Sequence, residues 1–450
     1  MAEDGDEPAD QDAHQTASIE GQEYELVQRF RITVLEGSDT GKTVEAERAT
    51  IKIGTHPSAD LVLSDRAASR FHCEVSIEGK RAVIRDLGST NGTMVDSVHV
   101  IHAGLNAGSI ITVGRTRIRF ELGTDSIKVA LSDSDSFEFL IGSSIPMRAL
   151  FKQLEQIAPT DTTVLLTGET GTGKEVTAES IHRRSSRNQN PLIVVDCGSI
   201  PPNLIESELF GHEKGAFTGA DRVRHGAFEA AHSGTLFLDE VGELSPELQP
   251  KLLRAIESRE FRRIGSSQYR PCDVRIIAAT NRNLRADVNA KRFRADLFYR
   301  LAVIELRLPA LRERLPDMPK LVEYFLAAMP DSRRPELAFL RKMEFIEHLV
   351  RHNWPGNVRE LRNYIERCAA LTETPPLATD PTRWAPSVNT NLAFRSAREQ
   401  WTYSFERKYL EEILAKHNGN VAAAARAADL DRIYFYRLLW RHNLRKRESD

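Results

Sequence analysis

The 450-residue chain has only four cysteines, few aromatic residues and no long apolar run. The cysteines lie apart, without C-x-x-C spacing, which argues against a zinc site and favours free thiols in a reducing compartment. No apolar stretch approaches the roughly 18 residues of a membrane span, and the acidic N-terminus lacks the apolar segment of a secretion signal. We therefore expect a cytoplasmic protein without a membrane partner.

The net charge is also small, because 61 Lys and Arg residues face 64 Asp and Glu residues, giving −3. The basic residues are unevenly distributed, however. Residues 432–447 contain six of them and no acidic residue. A local basic region on a near-neutral chain indicates a contact with nucleic acid.

The N-terminal third predicts an all-β domain. An acidic, Pro- and Gly-containing tail at 1–23 is predicted to be disordered. Short alternating runs separated by turn residues predict a β-sandwich at 24–121. A stretch rich in Ser and Asp, 122–139, is predicted to be a linker.

The rest of the chain predicts an α/β domain followed by helices. Continuous apolar strands alternating with helices indicate a parallel sheet at 140–309, and residues 310–372 have a helical pattern. A proline-rich linker at 373–394 then precedes an all-helical domain at 395–450. The fold class is therefore multidomain: all-β, then α/β, then all-α.

The first motif of the α/β domain is a glycine-rich loop, GETGTGKE, which follows the strand TVLLT and opens a helix. Its glycines would let backbone N–H groups surround phosphates, and Lys174 would reach the β and γ oxygens. Glu175 stands where the general pattern has Ser or Thr as a magnesium ligand. The predicted nucleotide-binding residues are Gly168, Glu169, Thr170, Gly171, Thr172, Gly173, Lys174 and Glu175.

A second apolar strand, TLFLDE, ends in two carboxylates. We expect Asp239 to lie beside Mg²⁺ and Glu240 to polarise or deprotonate the attacking water. At the end of the strand VRIIAAT, the Asn281 amide is placed to sense the γ-phosphate. Together with the glycine-rich loop, these residues predict an ATPase with ATP and Mg²⁺ as cofactors.

Two arginines flank the segment FRADLFYR and have two interpretations. Arg294 and Arg300 could pair with Asp296 on an exposed helix, a common surface arrangement. They could instead enter the nucleotide site of a neighbouring subunit and stabilise the charge of the transition state. The spacing alone does not decide between these two interpretations.

A loop in the same domain carries an aromatic residue with little to pack against. Gly211, Gly215 and Gly219 punctuate ELFGHEKGAFTGADR, and Phe217 lies near its middle. Either the loop folds onto its own domain or Phe217 contacts another protein.

Five segments in order, GETGTGKE, ELFGHEKGAFTGA, GTLFLDEVGEL, FRADLFYRL and WPGNVREL, resemble the AAA+ domain of sigma-54-dependent transcriptional activators, also called bacterial enhancer-binding proteins. There, a Glu after the P-loop lysine is ordinary. The resemblance implies these roles: ATPase chemistry for Lys174, Asp239 and Glu240, sensor I for Asn281, arginine fingers for Arg294 and Arg300, and sensor II for Arg359.

The same resemblance implies that the glycine-punctuated loop contacts sigma-54. The implied contact residues are Gly215, Ala216, Phe217, Thr218, Gly219 and Ala220. One position departs from the family pattern, which often has Asn at the end of the second strand to link Glu240 to the nucleotide. Here that position is Asp196, and a carboxylate cannot donate as an amide does unless it is protonated.

The C-terminal region contains two helical patterns broken at DLD, which fits a helix-turn-helix whose second helix enters the major groove. An amphipathic bundle with a solvated basic face is the alternative. The region also resembles the Fis-type domain that closes most members of the family. The candidates for DNA contact are Arg432, Tyr434, Tyr436 and Arg437.

Residues 24–121 resemble a forkhead-associated (FHA) domain, through the signature residues Gly54, Ser69, His72, Asn91 and Gly92. The resemblance implies that Ser69, Arg70 and Thr90 hold a phosphothreonine, and that Asn91 fixes the peptide backbone. Arg70 would supply a charge-assisted fork. Thr55 stands where the family usually has the arginine that grips the phosphate, so a domain that docks proteins without reading phosphate is the alternative.

The combined prediction is a transcriptional activator that binds upstream DNA as a dimer and assembles a ring, expected to be hexameric. ATP hydrolysis would remodel the sigma-54 RNA polymerase holoenzyme into the open complex, and the FHA domain would couple this to a phosphothreonine protein or a Ser/Thr kinase. Two alternatives are a DNA-binding regulator whose AAA+ domain only oligomerises, and an AAA+ enzyme such as an unfoldase. The first predicts a damaged Walker B or GAFTGA motif, and the second requires neither this loop nor a Fis-like domain.

Overall fold

The structure is a computed structural model that describes residues 16–19, 22–79, 81–330, 337–375 and 377, and residues 402–444 except 404, 408, 412, 415, 418, 419, 429, 431 and 443. Contacts divide the chain into two compact units, residues 1–374 and 375–450. None of the helices in the described part is long and apolar enough to cross a membrane.

The N-terminal part of the first unit consists of two β-sheets. The strands are β1 (Thr16–Ile19), β2 (Gln22–Glu36), β3 (Thr43–Glu45), β4 (Thr50–Gly54), β5 (Leu61–Val62), β6 (Cys73–Glu78), β7 (Arg81–Asp86), β8 (Thr93–Val95), β9 (Val98–Val100), β10 (His102–Leu105), β11 (Ile110–Val113) and β12 (Thr116–Ala130). One sheet has the order β1-β2-β12-β11-β8-β9 with β3 on β2, and the other has the order β10-β7-β6-β4-β5. Because side chains alternate between faces, inward residues of both sheets, among them Phe30, Ile32, Val75 and Ile118, form one buried core.

Two predicted boundaries of this domain are wrong. The predicted tail at 1–23 contains β1, which pairs antiparallel with β2; residues 1–15 lie outside the described residues. The predicted linker at 122–139 begins as strand, since β12 continues to Ala130. A register irregularity at Gly123–Asp125 interrupts the alternation of apolar and polar residues. For this reason the sequence pattern predicted that the strand ends there.

The α/β domain begins with a hairpin and continues as a doubly covered parallel sheet. Its strands are β13 (Ser136–Phe137), β14 (Leu140–Ile141), β15 (Val164–Thr167), β16 (Leu192–Asp196), β17 (Thr235–Asp239), β18 (Glu260–Phe261), β19 (Arg270–Pro271), β20 (Arg275–Thr280) and β21 (Ile304–Arg307). Its helices are α1 (Ile145–Ile157), α2 (Lys174–Arg183), α3 (Pro202–Phe210), α4 (Ala227–Ala230), α5 (Gln249–Ser258), α6 (Leu284–Asn289) and α7 (Ala295–Leu301).

The five central strands are all parallel, in the order β16-β17-β20-β15-β21. Every residue of β20 is buried, as a strand covered on both faces requires. The carboxyl ends of these strands share one edge of the sheet, which is where ligands bind in open α/β sheets. The hairpin β13–β14 contributes Phe137 and Leu140 to the core of this domain, so the end of the predicted linker is packed chain as well.

A helical lid follows the sheet. Its helices are α8 (Met318–Ala327), α9 (Met343–Val350) and α10 (Asn357–Leu371), with 3-10 turns at Leu311–Glu313, Leu315–Asp317 and Ala338–Arg341. Trp354 is fully buried and donates its indole N–H to the Leu349 carbonyl at 2.8 Å. This contact fixes the turn that leads into α10.

The second unit contains helices α11 (Val421–Ala427) and α12 (Arg432–Arg441), and its described residues between 402 and 416 are helical as well. The Asn420 side chain caps α11 by accepting from the Ala423 N–H. Leu410, Phe435 and Leu439 are almost completely buried between the helical segments. Of the predicted linker at 373–394, residue 376 and residues 378–394 lie outside the described residues.

Candidate functional site

The glycine-rich loop joins β15 to α2 and encloses the amino group of its own lysine. Gly171 and Gly173 have φ angles of +80° and +106°, which favour glycine. Lys174 is 7% exposed, and its Nζ donates to the carbonyl oxygens of Gly168 and Glu169 at 3.1 and 3.3 Å. The loop therefore presents a buried cation and the N-terminus of α2 at one place, which fits a nucleotide phosphate group.

Both predicted carboxylates stand at the end of β17, next to this lysine. Glu240 Oε1 lies 3.8 Å from Lys174 Nζ, and the Glu240 N–H donates to Asp239 Oδ1 at 2.9 Å. Glu240 has a φ of +48°, a costly conformation for a residue with a side chain. Asn281 links the set, since its N–H donates to Glu240 Oε2 at 3.1 Å and its amide donates to Thr170 Oγ1 at 3.0 Å. The structure thus brings Lys174, Asp239, Glu240 and Asn281 together.

Asp196 lies beside this cluster, but its carboxylate makes hydrogen bonds within the turn that follows it. It is the register neighbour of Asp239 on the adjacent strand. Its Oδ1 accepts from the N–H groups of Gly198 and Ser199 at 2.9 and 3.2 Å. A carboxylate that accepts backbone hydrogen bonds in this way is not a donor to Glu240.

Glu169 connects the glycine-rich loop to the lid through partners that sequence reasoning missed. Arg312 donates two hydrogen bonds to the Glu169 carboxylate. These bonds lower the pKa of Glu169 to about 2. The buried Asn357 amide donates to Glu169 Oε2 at 3.1 Å and to the Thr170 carbonyl at 3.0 Å. Asn357 lies within the WPGNVREL motif, so the sequence carried a signal that this residue belongs to the site. Arg312 lies in none of the quoted motifs, so the sequence carried no such signal for it.

Arg359 lies on the same part of the lid. The N–H groups of Val358 and Arg359 donate to the Gly171 carbonyl at 3.0 and 3.3 Å. A Cβ added at Gly171 would be 2.2 Å from the Gly356 carbonyl and 3.1 Å from the Arg359 Cβ. The start of α10 is therefore packed onto the glycine-rich loop, and the Arg359 side chain is exposed beside it.

The two candidate finger arginines are held by carboxylates of their own chain. Arg294 donates to both oxygens of Asp296, at 3.0 and 2.6 Å, as the surface-pair interpretation predicts. Arg300 instead donates to Glu257 of α5 at 2.7 Å, so for this arginine the surface-pair interpretation names the wrong partner. Both guanidinium side chains are about half exposed, at 48% and 56%. These ion pairs must open if the arginines act on a neighbouring subunit.

The GAFTGA loop is closed by its own backbone. The Gly215 N–H donates to the Ala220 carbonyl at 2.8 Å, and the Ala220 N–H donates to the Phe217 carbonyl at 3.0 Å. The Phe217 ring meets the His212 ring edge-on, with centroids 4.9 Å apart, and remains 40% exposed. Phe217 is therefore partly folded onto its own domain and partly available, with the exposed Thr218 beside it.

A buried arginine that sequence reasoning missed supports the base of this loop. Arg263 is 5% exposed and forms ion pairs with Glu213, at 3.1 Å, and Glu229, at 2.7 Å. Hydrogen bonding to Glu229 is the main reason that the pKa of Arg263 is raised. The pair with Glu213 fixes the residue just before Lys214 and the hexapeptide.

The loops of the β-sandwich bring most of the predicted phosphothreonine residues together. Ser69 Oγ accepts from the Thr90 N–H at 2.9 Å and lies 3.3 Å from Thr90 Oγ1. The Asn91 amide donates to the Ala67 carbonyl at 2.7 Å, and Arg70 is exposed. The hydroxyl groups and the arginine therefore lie on two adjacent loops.

His72 lies beneath these loops, fully buried. Its Nδ1 accepts from the Ser69 N–H at 3.0 Å, and its Nε2 lies 3.1 Å from the Gly92 carbonyl. Burial lowers the pKa of His72, which keeps the ring neutral as these bonds require. Thr55, in the third loop, donates its N–H to the Ser69 carbonyl at 3.0 Å.

The predicted DNA-contact residues lie on α12. Tyr434 is 50% exposed and Arg437 is exposed, whereas Tyr436 packs partly against the core that contains Phe435. Arg432 begins the helix, but its side chain lies outside the described residues. The exposed face of α12 therefore carries at least one aromatic and one basic residue.

Comparisons with known proteins cover almost the whole chain. Residues 140–307 match the family described as sigma-54 interaction domain, and residues 312–381 match the AAA+ ATPase lid domain. Residues 33–122 match the family described as inner membrane component of T3SS, cytoplasmic domain. The chain is 44% identical over 414 residues to the transcriptional regulatory protein GlrR of Escherichia coli (strain K12), covering 89% of this chain and 91% of GlrR.

Solved structures similar to this chain include two with different coverage. The crystal structure of NtrX from Brucella abortus in complex with ADP is 33% identical, with a TM-score of 0.49, and covers 68% of this chain and 70% of that chain. A structure from a study of phosphothreonine-dependent FHA domain interactions is 30% identical, with a TM-score of 0.20, and covers 21% of this chain and 97% of that chain.

Proposed function

Because this chain belongs to the family of sigma-54-dependent transcriptional regulators, we propose that it is an ATP-driven activator of RNA polymerase holoenzyme containing sigma-54. The central domain is a member of the AAA+ ATPases. The observation that carries the proposal is the cluster of Lys174, Glu240 and Asn281 in the same domain as an intact GAFTGA loop. An AAA+ domain that only oligomerised would need neither this nucleotide cluster nor this loop.

The residues of the cluster fit ATP with Mg²⁺. The loop 168–175 would hold the phosphates, and Asp239 would hold the ion, which neutralises charge on the transferring phosphoryl group. Lys174 would exchange its two carbonyl partners for phosphate oxygens. Glu240 would orient the attacking water and accept its proton, with Asn281 holding the carboxylate in place.

A short path of chain leads from the nucleotide cluster to the GAFTGA loop. The turn after Asp196 leads into α3, and the Ser207 hydroxyl of that helix lies 2.6 Å from His212 Nδ1. His212 in turn supports the Phe217 ring. We infer that a change of nucleotide state shifts α3 and raises the loop toward sigma-54.

Replacing Phe217 tests the coupling to sigma-54. Phe217→Ala is expected to keep ATPase activity within about twofold, because the ring lies outside the nucleotide cluster. It should lower open-complex formation at least about tenfold, the effect expected when an interface loses a buried aromatic residue. Single-round transcription with sigma-54 holoenzyme measures the second quantity, and Tyr324→Ala, which removes another exposed aromatic residue, is the matched control. Normal open-complex formation by the Phe217 variant would favour an AAA+ enzyme with another substrate.

We further propose that the second unit is a Fis-type helix-turn-helix that binds upstream DNA as a dimer, with α12 as the recognition helix. Removing residues 395–450 should abolish specific upstream binding and leave ATPase activity unchanged, because the first unit is compact by itself. Binding by the full chain should weaken steeply with salt, since Arg437 and Arg441 would contact phosphates. An unchanged footprint of the shortened protein would place the DNA site elsewhere.

We propose, finally, that the β-sandwich is an FHA domain that reads phosphothreonine on a partner protein or a Ser/Thr kinase, and that the ATPase domains form a ring, hexameric in the family. The paired Ser69 and Thr90 and the exposed Arg70 support phosphate reading. Thr55 argues against phosphate reading, because a threonine provides no guanidinium group at this position. A phosphate-independent docking role is the second candidate, because the same loops contact the ATPase domain, where the His56 ring stacks on Tyr299 and the Phe71 carbonyl accepts from Asn289.

A further inference from the structure

One edge of the β-sandwich lies against helices α6 and α7 of the ATPase domain. This loop edge consists of residues 55–58, 66–71 and 87–91. The His56 ring stacks on the Tyr299 ring of α7, with centroids 4.3 Å apart and planes 19° apart. Ser58 Oγ donates to the Tyr299 hydroxyl at 3.0 Å. Burial and the Arg70 charge lower the pKa of His56, so the stacked ring is neutral near pH 7.

The two other loops of the edge are held by one asparagine. The Asn289 amide donates to the carbonyl oxygens of Phe71, at 2.5 Å, and Leu87, at 3.2 Å. The Phe71 side chain is 4% exposed and meets the Phe298 ring edge-on at 5.4 Å. Phe71 follows the outward-facing Arg70, and its burial is supplied by the ATPase domain as well as by its own sandwich.

Charged groups complete the contact. Arg285 forms an ion pair with Glu305 at 2.5 Å and lies 5.7 Å from the Phe71 ring centroid, a cation–π arrangement. Lys52 of the sandwich also pairs with Glu305, at 3.4 Å. Burial alone would raise the pKa of Glu305, but its bonds to Arg285 outweigh burial and lower it. An apolar centre with paired polar groups around it is the anatomy of a specific interface.

We propose that a phosphothreonine peptide and the helices α6–α7 compete for the loop edge, so that peptide binding releases the sandwich from the ATPase domain. This rests on the proposed reading of phosphothreonine. Two predicted pocket residues lie next to docking residues on the same loops: Arg70 precedes Phe71, and Thr90 is two positions from Gly88, which approaches Ala286 of α6. Thr55, at the position where the family usually has its phosphate-gripping arginine, precedes His56. A peptide residue in extended conformation spans about 3.3 Å. A phosphothreonine with two flanking residues on each side would therefore cover roughly 16 Å and overlap the surface that α6–α7 occupy.

The competition has a consequence for the ATPase. Helix α7 directly follows Arg294 and contains Arg300, the two candidate fingers, and Tyr299 is the neighbour of Arg300. A domain docked on Tyr299 and Phe298 holds the helix that carries Arg300 and follows Arg294, so we expect it to restrict the movement of these arginines into the site of a second subunit. Release by the peptide should therefore raise ATP turnover.

The test uses the full chain and a degenerate phosphothreonine peptide library, with its unphosphorylated counterpart as reference. Asn289→Ala removes three hydrogen bonds to the loop edge: the two that its amide donates to the Phe71 and Leu87 carbonyls, and the one that its Oδ1 accepts from the Phe71 N–H at 3.4 Å. It should tighten binding of the phosphorylated library about fivefold or more, because a larger fraction of the protein would expose the edge. Asn188→Ala, which also removes a side-chain bond to a backbone carbonyl but lies outside the interface, should leave the affinity unchanged. Equal affinity of the Asn289→Ala variant and the unmodified protein would count against competition.

A covalent lock tests the same point without relying on affinity alone. A Cβ at Gly88 would lie 2.8 Å from the Ala286 Cβ, so a disulfide between Gly88→Cys and Ala286→Cys requires a shift of about 1 Å and a cysteine that tolerates the left-handed φ of +69°. The reduced form of the same protein is the reference, because it carries the same backbone strain without the lock. The oxidised protein should not bind the phosphorylated library, and its ATP turnover should stay at the basal rate when the library is added. After reduction, the protein should bind the library again, and its ATP turnover should rise when the library is added. Oxidised protein that binds peptide as well as reduced protein would overturn the proposal.

The outcomes separate this inference from the function on which it rests. Preference for the phosphorylated library, with no effect of Asn289→Ala or of the lock, would leave phosphothreonine reading intact and overturn the competition. Equal binding of both libraries would overturn phosphothreonine reading, and the competition with it. Only phosphate preference together with release-dependent affinity supports the proposal.

Discussion

Purified Glu240→Gln protein is expected to bind ATP as the unmodified chain does and to hydrolyse it at least ~100-fold more slowly. Glutamine keeps the size of the side chain and an oxygen that can accept from the Asn281 N–H. It loses the basicity needed to take a proton from water and the charge that faces Lys174 Nζ at 3.8 Å. The variant therefore separates the chemical step from assembly of the cluster.

The matched control is Glu243→Gln, three residues further along the same turn. Glu243 is 39% exposed and pairs with Arg282, so its loss removes a surface ion pair and should change turnover less than about twofold. Nucleotide binding by a fluorescent ATP analogue and steady-state phosphate release measure the two quantities. Near-normal turnover in the Glu240 variant would remove this residue from the role of base or water-orienting group.

The nucleotide cluster could be predicted because it follows from local rules. Continuous apolar runs predict buried parallel strands, and the carboxyl ends of such strands meet at one edge. Asp239, Glu240 and Asn281 each stand directly after a run of this kind, and Lys174 follows a glycine-rich turn. Short-range sequence patterns were therefore enough to predict that these four side chains lie close together.

The contacts that hold the lid and the fingers could not be predicted in the same way. Arg312 and Asn357 are 143 and 188 positions from Glu169, and no spacing rule links residues so far apart. Arg300 pairs with Glu257, 43 positions away on another helix, because α5 packs against α7. Such pairs depend on how elements pack, which a single sequence does not specify.

The contact between the loop edge of the sandwich and the ATPase domain could not be predicted for a different reason. The residues Ser69, Arg70 and Thr90 predicted a phosphate-reading edge, and they lie on adjacent loops. Nothing in the pattern indicated that His56 and Phe71, on the same loops, would contact another domain of the chain. An apolar residue between polar loop positions reads equally well as a core residue of its own domain.

Arg294→Ala and Arg300→Ala proteins are each expected to hydrolyse ATP about 10³-fold more slowly than the unmodified chain, the scale on which arginine fingers act. The charge that develops on the transferring phosphoryl group would lose a guanidinium from the neighbouring subunit. Arg351→Ala removes another exposed arginine, paired with Glu347 at 4.0 Å, and should leave turnover unchanged. Phosphate release at protein concentrations that support assembly is the measurement.

Mixing variants distinguishes trans-acting fingers from arginines that only pair on the surface. A Lys174→Ala subunit has a defective loop but intact fingers, and an Arg300→Ala subunit has the reverse. In a mixed ring some interfaces combine an intact loop with an intact finger, so part of the activity should return. If Arg300 served only its pair with Glu257, its loss would cost less than about 1 kcal/mol of stability and leave turnover unchanged. Slow single variants that do not recover in rings shown to contain both subunits would instead mean that each arginine acts within its own chain.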